Sequence, residues 1–424
     1  MAAASEHLEP SIAVGKSHAV GAGRRASAET GASAEQHAGL EQSAGLAAIA
    51  WKQFKKHPLA RGSLAILGIL YLVAAFADFF APYPERFINT GATFQPPNQV
   101  HFVDEDGRLT RPYIYRMERS LDMQTFATVW TVDTSQKYQI NFFVRREGVR
   151  DRYVPFPVNL LPVSLRQAWG IQPWATLRLF GVDDPTDRTK LYLWGSGDLG
   201  DDIFGKTLYG ARISLTIGIL ASVVAIVLGM LMGGLAGYHG GWLDEVIMRL
   251  VEAIEAIPSL FLLLALSAIF YPLGLQSSVV FPLVVVVLSL IGWGQVARTI
   301  RAQVLSLKER DFTQAARALG ANTARVISRH LLPQTFSYVI VVMSLAIPGY
   351  ILTEAALSFF GLGIQPPATS WGLMLNTAQS FVGVAGLSDR WWIFLPGLFI
   401  FISVLTWNLL GDGLRDAFDP RSRK

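Results

Sequence analysis

The sequence predicts an all-α polytopic membrane protein with six spanning helices and a small, mostly β domain inserted after the first of them. Three observations carry that reading. Apolar residues make up 51% of the chain and charged ones only 16%, against about 25% charged in soluble domains. Long runs without a charged side chain recur along the sequence. Between the first two of these lies a polar stretch of domain length with strand-like composition.

The elements follow in order. Residues 1–45 are rich in Ala, Gly, Ser and Glu. They bury too little surface to fold alone and are expected to form a disordered cytoplasmic tail. The first long apolar run begins only after Arg61, too late for a signal peptide. Residues 46–83 are expected to hold an interfacial helix and the first span, "RGSLAILGILYLVAAFADFFAPY" at 61–83, since a crossing takes roughly 20 mostly apolar residues. The second span, 213–239, has no Asp, Glu, Lys or Arg. The charge-free run from Ala256 to Ala297 is too long for one crossing, and the turn residues of "YPLGLQSS" at 271–278 divide it into two. The fifth span runs from Gln334 to Leu362 with one acid, Glu354, and the sixth covers 391–411.

Charge sets the orientation. Arg298, Arg301, Lys308, Arg310, Arg317, Arg325 and Arg329 lie between the fourth and fifth spans. Lys52, Lys55, Lys56 and Arg61 precede the first, and Arg415, Arg421, Arg423 and Lys424 follow the last. The short loops at 271–278 and 363–390 hold only Asp389 and Arg390. Lys and Arg stay inside, so both termini are expected in the cytoplasm. The net charge of +4 then needs no nucleic acid.

The stretch 84–206 is expected to be extracytoplasmic. "QVHFVDEDG", "FATVWTVDT" and "YQINFFVRRE" mix β-branched and aromatic residues with turn signals and read as short strands. Its only histidine is His101, so it holds no metal-ligand cluster, and no nucleophile with a base is readable. The chain has no cysteine, which excludes disulfides and thiolate sites. Neither a catalytic residue nor a metal site is expected.

One stretch argues for nucleotide chemistry. "GDDIFGKT", 200–207, fits the phosphate-loop pattern G-x-x-x-x-G-K-[ST]. A working loop needs a preceding strand and free backbone amides. Here the segment leads into a span on the outer side, with Asp201 and Asp202 facing a polyanion. The match reads as coincidence, with Gly205, Lys206 and Thr207 opening an interfacial helix and Lys206 and Arg212 at the headgroups.

The stretch "DFTQAARALGANTARVISRHLLPQ", 311–334, carries more. Phe312, Ala315, Ala316 and Leu319 recur at i, i+3, i+4 and i+7, one helical stripe. Gly320 is a natural stop, Asn322 or Thr323 can cap a second helix, and Pro333 suits the first turn of the fifth span. The periodicity fits a helix–turn–helix on the cytoplasmic face, or an amphipathic helix resting on lipid.

This segment resembles the "EAA" loop of ABC-importer permease subunits, with the pattern E-A-A-x3-G, nine residues, then I-x-L-P. Here it stands as Gln314-Ala315-Ala316, Gly320 and His330-Leu331-Leu332-Pro333, with Gln for Glu and His for Ile. "WKQFKKHPLARGSLAILGIL", "LYGARISLTIGILA", "LTEAALSFFGLGIQPPATSWGLML" and "GDGLRDAFDPR" are similar to the second (C-type) permease of dipeptide and oligopeptide importers. "GSGDLGDDIF" resembles that family's G-T-D-x-x-G-R-D segment, which accounts for the phosphate-loop spelling. The insertion at 82–190 is longer than in common members.

The resemblance implies a type I importer permease of the bacterial inner membrane, working by alternating access. It implies no ATPase in this chain. ATP and Mg would be bound by two ATPase partner subunits, beside a homologous second permease and an extracytoplasmic substrate-binding protein. It implies a permease core over 207–424 with a cytoplasmic coupling loop at 299–333. Coupling would run through Phe312, Gln314, Ala315, Ala316, Leu319, Gly320, His330 and Pro333. Acids inside spans are costly, so Glu354 and Glu255 are candidate pathway residues. For Glu354, a helix-to-helix hydrogen bond is the equal alternative. An ion-coupled secondary transporter, or a membrane-anchored enzyme acting through 84–206, are the competing classes. The sequence does not name the substrate.

Overall fold

The computed structural model describes residues 46–124, 128–145, 152, 153, 169, 170, 172, 175–182, 184, 188–273, 277–385 and 390–418. The expected tail, the middle of the 271–278 turn, Asp389, Arg421, Arg423 and Lys424 lie outside them. The chain divides into two compact units, Met1–Lys56 and His57–Lys424. The first contributes α1, Leu46–Phe54, in which Trp51 stacks on Phe54 at 5.6 Å.

The second unit starts with α2, Pro58–Ala75, where proline sits in the first turn and lacks an amide only where none is needed. A short α3, Ala77–Phe80, follows. Next come four antiparallel strands in the order β1-β2-β3-β4. These are β1 His101–Val103, β2 Leu109–Leu121, β3 Thr128–Arg145 and β4 Leu177–Val182. The "DEDG" turn joins β1 to β2, with Gly107 at φ +74, a conformation glycine adopts without steric cost. Two of the expected strands are one: β3 runs through "TVDT" and "YQIN" without a break. The register slips between Tyr115 and Arg116 of β2, and Asp133 accepts from the Ser135 amide at 2.9 Å. A bulge thus absorbs the turn residues read as a boundary.

The sheet is tied down at its base. Ile114, Tyr138, Ile140, Phe180 and Leu191 form its core. Arg178, 1% exposed, donates to the carbonyls of Asp78 at 3.1 Å and Ala81 at 2.8 Å at the end of α3. Below it the two connecting segments knit together. Asn98 and Tyr192 exchange backbone and side-chain bonds, and Gln95 pairs with Ser196.

The helical body holds α4 Ile203–His239, α5 Gly241–Glu255, α6 Ser259–Phe270, α7 Ser277–Leu307 and α8 Asp311–Ala318. It closes with α9 Phe336–Phe359, α10 Trp371–Ala385 and α11 Leu395–Phe418. Five helices are long and apolar enough to cross a membrane: Pro58–Ala75, Ile203–His239, Val279–Leu307, Thr323–Phe359 and Trp391–Phe418. They match five of the six expected spans. The expected third span corresponds to α6, whose 12 residues give about 18 Å at 1.5 Å per residue, short of a bilayer's roughly 30 Å core.

Several boundaries differ from the sequence reading. α4 begins at Ile203, ten residues before the expected span, because Asp202 caps it by accepting from the Gly205 amide at 2.9 Å. The fifth span is entered through helical chain from Thr323 onwards, in π geometry over Val326–Leu331 and 3-10 geometry over Leu332–Thr335. Pro333 therefore lies in helical chain already under way rather than opening the span. The sequence reading does not foresee α5 or α10; α10 replaces the loop read at 363–390.

α4 is the central element. Ile217, Ala221, Leu263, Val284, Leu288 and Leu357 form one core cluster beside it. Leu215, Ile347, Ile351, Trp371 and Ile400 form another. Ile226, Val296, Ile300, Val304, Val326, Leu331 and Val339 form a third towards its C-terminal end.

Candidate functional site

In the phosphate-loop spelling the amides of Gly200, Ile203 and Lys206 already bond the carbonyls of Gly197, Gly195 and Asp202. Asp202 is buried, and its Oδ2 takes the Gly205 amide. Asp201 pairs with Lys206 at 2.9 Å. The segment before it is a turn tied to Asn89 and Phe94, not a strand. A carboxylate occupies the place a phosphate would need, so the residues do not fit a nucleotide. Lys206 and Arg212 do not reach outward as expected. Lys206 turns back onto Asp201, while Arg212 bonds the Ala74 carbonyl at 2.7 Å and Asp78 at 2.5 Å.

α8 forms where the stripe predicted, and Gly320, at φ +83, stops it. Asn322 caps the next turn by accepting from the Arg325 amide at 2.9 Å. The buried side of α8 is Thr313 and Ala316. Thr313 donates back to the Leu307 carbonyl at 2.9 Å, and the Arg317 guanidinium lies 4.9 Å from the Tyr238 ring. Phe312, Ala315 and Leu319 are left exposed, Leu319 at 89%. The stripe is thus split: Ala316 faces the body and the other three face away. Gln314 is exposed and donates to the Glu309 carbonyl at 3.2 Å. His330 sits half-buried on the π segment, and Pro333 is exposed.

A cavity of about 410 Å³ opens between α4, α7, α9 and the end of α5. Its polar lining includes Ser222, Glu255, Gln295 and Tyr350. Ile226, Ile291 and Ala346 are among its apolar walls. Glu255 bonds Arg298 at 2.6 Å. The Ser222 hydroxyl is buried and meets no protein partner. Gly292 makes room for Tyr350: a Cβ there would lie 1.9 Å from its hydroxyl. At the other end of α5, Asp244 clamps Arg301 through two 2.5 Å bonds, so two of the counted cations are paired on a helix rather than loose in a loop.

Glu354 does not line that cavity. It is fully buried, and its carboxylate accepts from Ser214 at 3.0 Å and Ser358 at 2.8 Å. Ser214 in turn accepts the Trp371 amide, and Ser358 the Ile364 amide. The group joins α4, α9 and the chain leading into α10. Gln295, Ser222 and Tyr350 were missed in the sequence, because neutral polar residues in a span carry no charge signal.

The comparisons converge on one family. A family model described as "Binding-protein-dependent transport system inner membrane component" matches residues 225–424. A second, "N-terminal TM domain of oligopeptide transport permease C", matches 45–97. The dipeptide transport system permease protein DppC of Bacillus subtilis is 40% identical over 255 residues, 60% of this chain and 76% of the relative. The oligopeptide transport system permease protein OppC of the same organism is 38% identical, covering 59% and 78%. The glutathione transport system permease protein GsiD of Pectobacterium atrosepticum is 40% identical, covering 59% and 80%. With apolar helices of spanning length and family matches over 45–97 and 225–424, the chain belongs to the binding-protein-dependent transport system inner membrane components, in the oligopeptide permease C branch.

Proposed function

We propose that this chain is the C-type permease of an ATP-driven importer for peptides or similar solutes. The observation that carries the coupling role is the outward apolar face of α8, Phe312, Ala315 and Leu319, on a helix whose other side is locked to the body. An exposed apolar face on a cation-rich segment suits a groove on an ATPase partner, which binds the ATP and Mg. Gln314, Gly320, His330 and Pro333 shape and end that contact. The cavity bearing Glu255 lies between the helices that a rocking motion separates, and is the pathway candidate. Glu354 acts on the path by holding α4, α9 and α10 in register.

In this reading α6 completes a sixth crossing together with its flanking residues. The cation-rich end of α7 and the segment leading into α9 are cytoplasmic, as are both termini, in a bacterial inner membrane. The sheet lies outside, as a docking platform for the substrate-binding protein, with the homologous permease alongside. The test is disulfide cross-linking. The Ala315→Cys and Leu319→Cys variants are expected to cross-link to a co-expressed ATPase subunit, and Thr313→Cys is not. Labelling of the Leu319→Cys variant from outside intact cells would overturn the orientation. Equal cross-linking of the Thr313→Cys and Leu319→Cys variants would overturn the assignment of the face.

A further inference from the structure

We propose that the sheet carries a second binding site, for a small dianionic carboxylate, on the face where β2 and β3 meet the segments 89–95 and 188–190. A groove of about 390 Å³ lies there, within the roughly 300–1,000 Å³ of small-molecule sites. Its lining is mostly polar. Arg116, Arg119, Arg188 and Lys190 converge on it from two separate parts of the chain. Among the described residues only one carboxylate, Glu118, lines it. That acid answers one cation weakly: Glu118 stands 3.9 Å from Arg116, both partly exposed.

A second cation meets a neutral group. Arg119 donates to the Thr128 hydroxyl at 3.4 Å, a long bond to an uncharged oxygen. Lys190 lies 6.0 Å from the Tyr83 and Phe87 rings. Such convergence repels itself unless an anion joins it. A second observation points to a ligand independently of charge. Thr189 also lines the groove; it is 5% exposed, and its hydroxyl is buried without a partner. Its amide is held by Asp184 at 2.6 Å, which fixes the backbone and leaves the hydroxyl to the groove. Buried hydroxyls are ordinarily satisfied, so this donor is free for a ligand oxygen.

The groups decide the chemistry. Guanidinium forks bind carboxylates or phosphates two bonds at a time. Three forks against one lining acid leave room for a ligand with two negative charges. Trp130 walls one side and gives an apolar face for a short carbon chain between the charges, which inorganic phosphate lacks. A dicarboxylate with a few carbons between its ends, such as the side chains of an acidic dipeptide, fits all these features. None of these residues belongs to the cavity between α4, α7 and α9, so the site stands whether or not the transport reading holds.

The experiment uses the full chain in nanodiscs of neutral phosphatidylcholine. Calorimetric titration with glutamyl-glutamate, its neutral glutaminyl-glutamine amide counterpart and inorganic phosphate separates the sources. The expected result is saturable binding of glutamyl-glutamate, weakened at least tenfold by Arg116→Gln with Arg188→Gln, and none of the neutral analogue. Thr189→Val, which leaves the charges in place, is expected to weaken it several-fold. Arg145→Gln, which removes a cation of β3 outside the groove, is expected to leave it unchanged. No binding of glutamyl-glutamate to the wild type, or equal affinity in wild type and the Thr189→Val and Arg116→Gln/Arg188→Gln variants, overturns the proposal. Binding of phosphate alone overturns the dicarboxylate assignment.

Discussion

Asp202 does its work through one oxygen. Its Oδ2 caps α4, while Oδ1 is buried without a partner. Burial pushes this carboxyl up to about 7, against the opposing pull of the Gly205 and Phe204 amides. An unfolded Asp ionises near 3.9. Between those values the folded chain keeps a proton that the unfolded chain has released, so this group's contribution falls as pH rises from about 4 to about 7. Asparagine caps as well as aspartate and does not ionise. Asp202→Asn is expected to melt higher than wild type by about 3 °C or more at pH 8. The gap should widen between pH 5 and pH 7, and a gap independent of pH in thermal melts would refute the assignment. Glu354 poses a different case. Glu354→Gln keeps one acceptor for the paired serines, whereas Glu354→Ala strands both hydroxyls at a cost of about 1–3 kcal/mol each. The yield of monodisperse protein should be near normal for the first and clearly lower for the second.

At the scale of elements, the contact between α4 and α7 depends on small residues. Gly229, Gly233 and Gly237 repeat every four residues along one face of α4. A Cβ on Gly229 would come within 2.5 Å of Val296, on Gly233 within 2.3 Å of the Ala297 carbonyl, and on Gly237 within 2.8 Å of the Arg301 carbonyl. Small residues let helices in a bilayer approach this closely, where packing replaces the hydrophobic drive. Gly233→Val is therefore expected to abolish folded protein, as read by size-exclusion of detergent extracts. Gly349→Ala, in open space on α9, is the control and should be tolerated. The "GMLMGGLAG" spacing was visible in the sequence, but which helix it would meet was not. Four-residue spacing marks a face, and only the folded chain supplies the partner.

For the whole molecule, the segments on either side of the sheet are bonded to each other. Tyr83, Gln95 and Asn98 bond Leu191, Ser196 and Tyr192 below the strands, and Trp392 donates to the Ser196 carbonyl. A deletion of 82–190 would cut this frame. Replacing 101–182 by a Gly/Ser linker removes the strands and spares it. The shortened chain is expected to assemble with the ATPase subunits as wild type does, and to lose binding-protein association and uptake together. Unchanged affinity for the loaded binding protein in nanodiscs would leave the sheet only a bracing role.

The sequence by itself determined the class of protein, five of the six spans it suggested, the strands after the first span, the helix stop at Gly320 and the family. These follow from local quantities: apolar run length, turn chemistry, and motifs whose residues lie close together in the chain. The tertiary structure decided what depends on distant residues. It turned Ala316 inward and Leu319 outward, because Thr313 anchors α8 to the end of α7. It enclosed Glu354 among serines from α4 and α9 rather than in the cavity. It brought Arg116 and Arg119 of β2 into one groove with Arg188, which lies beyond β4 in the chain. Spacing records which residues share a face; which faces meet is settled only when the helices and strands pack.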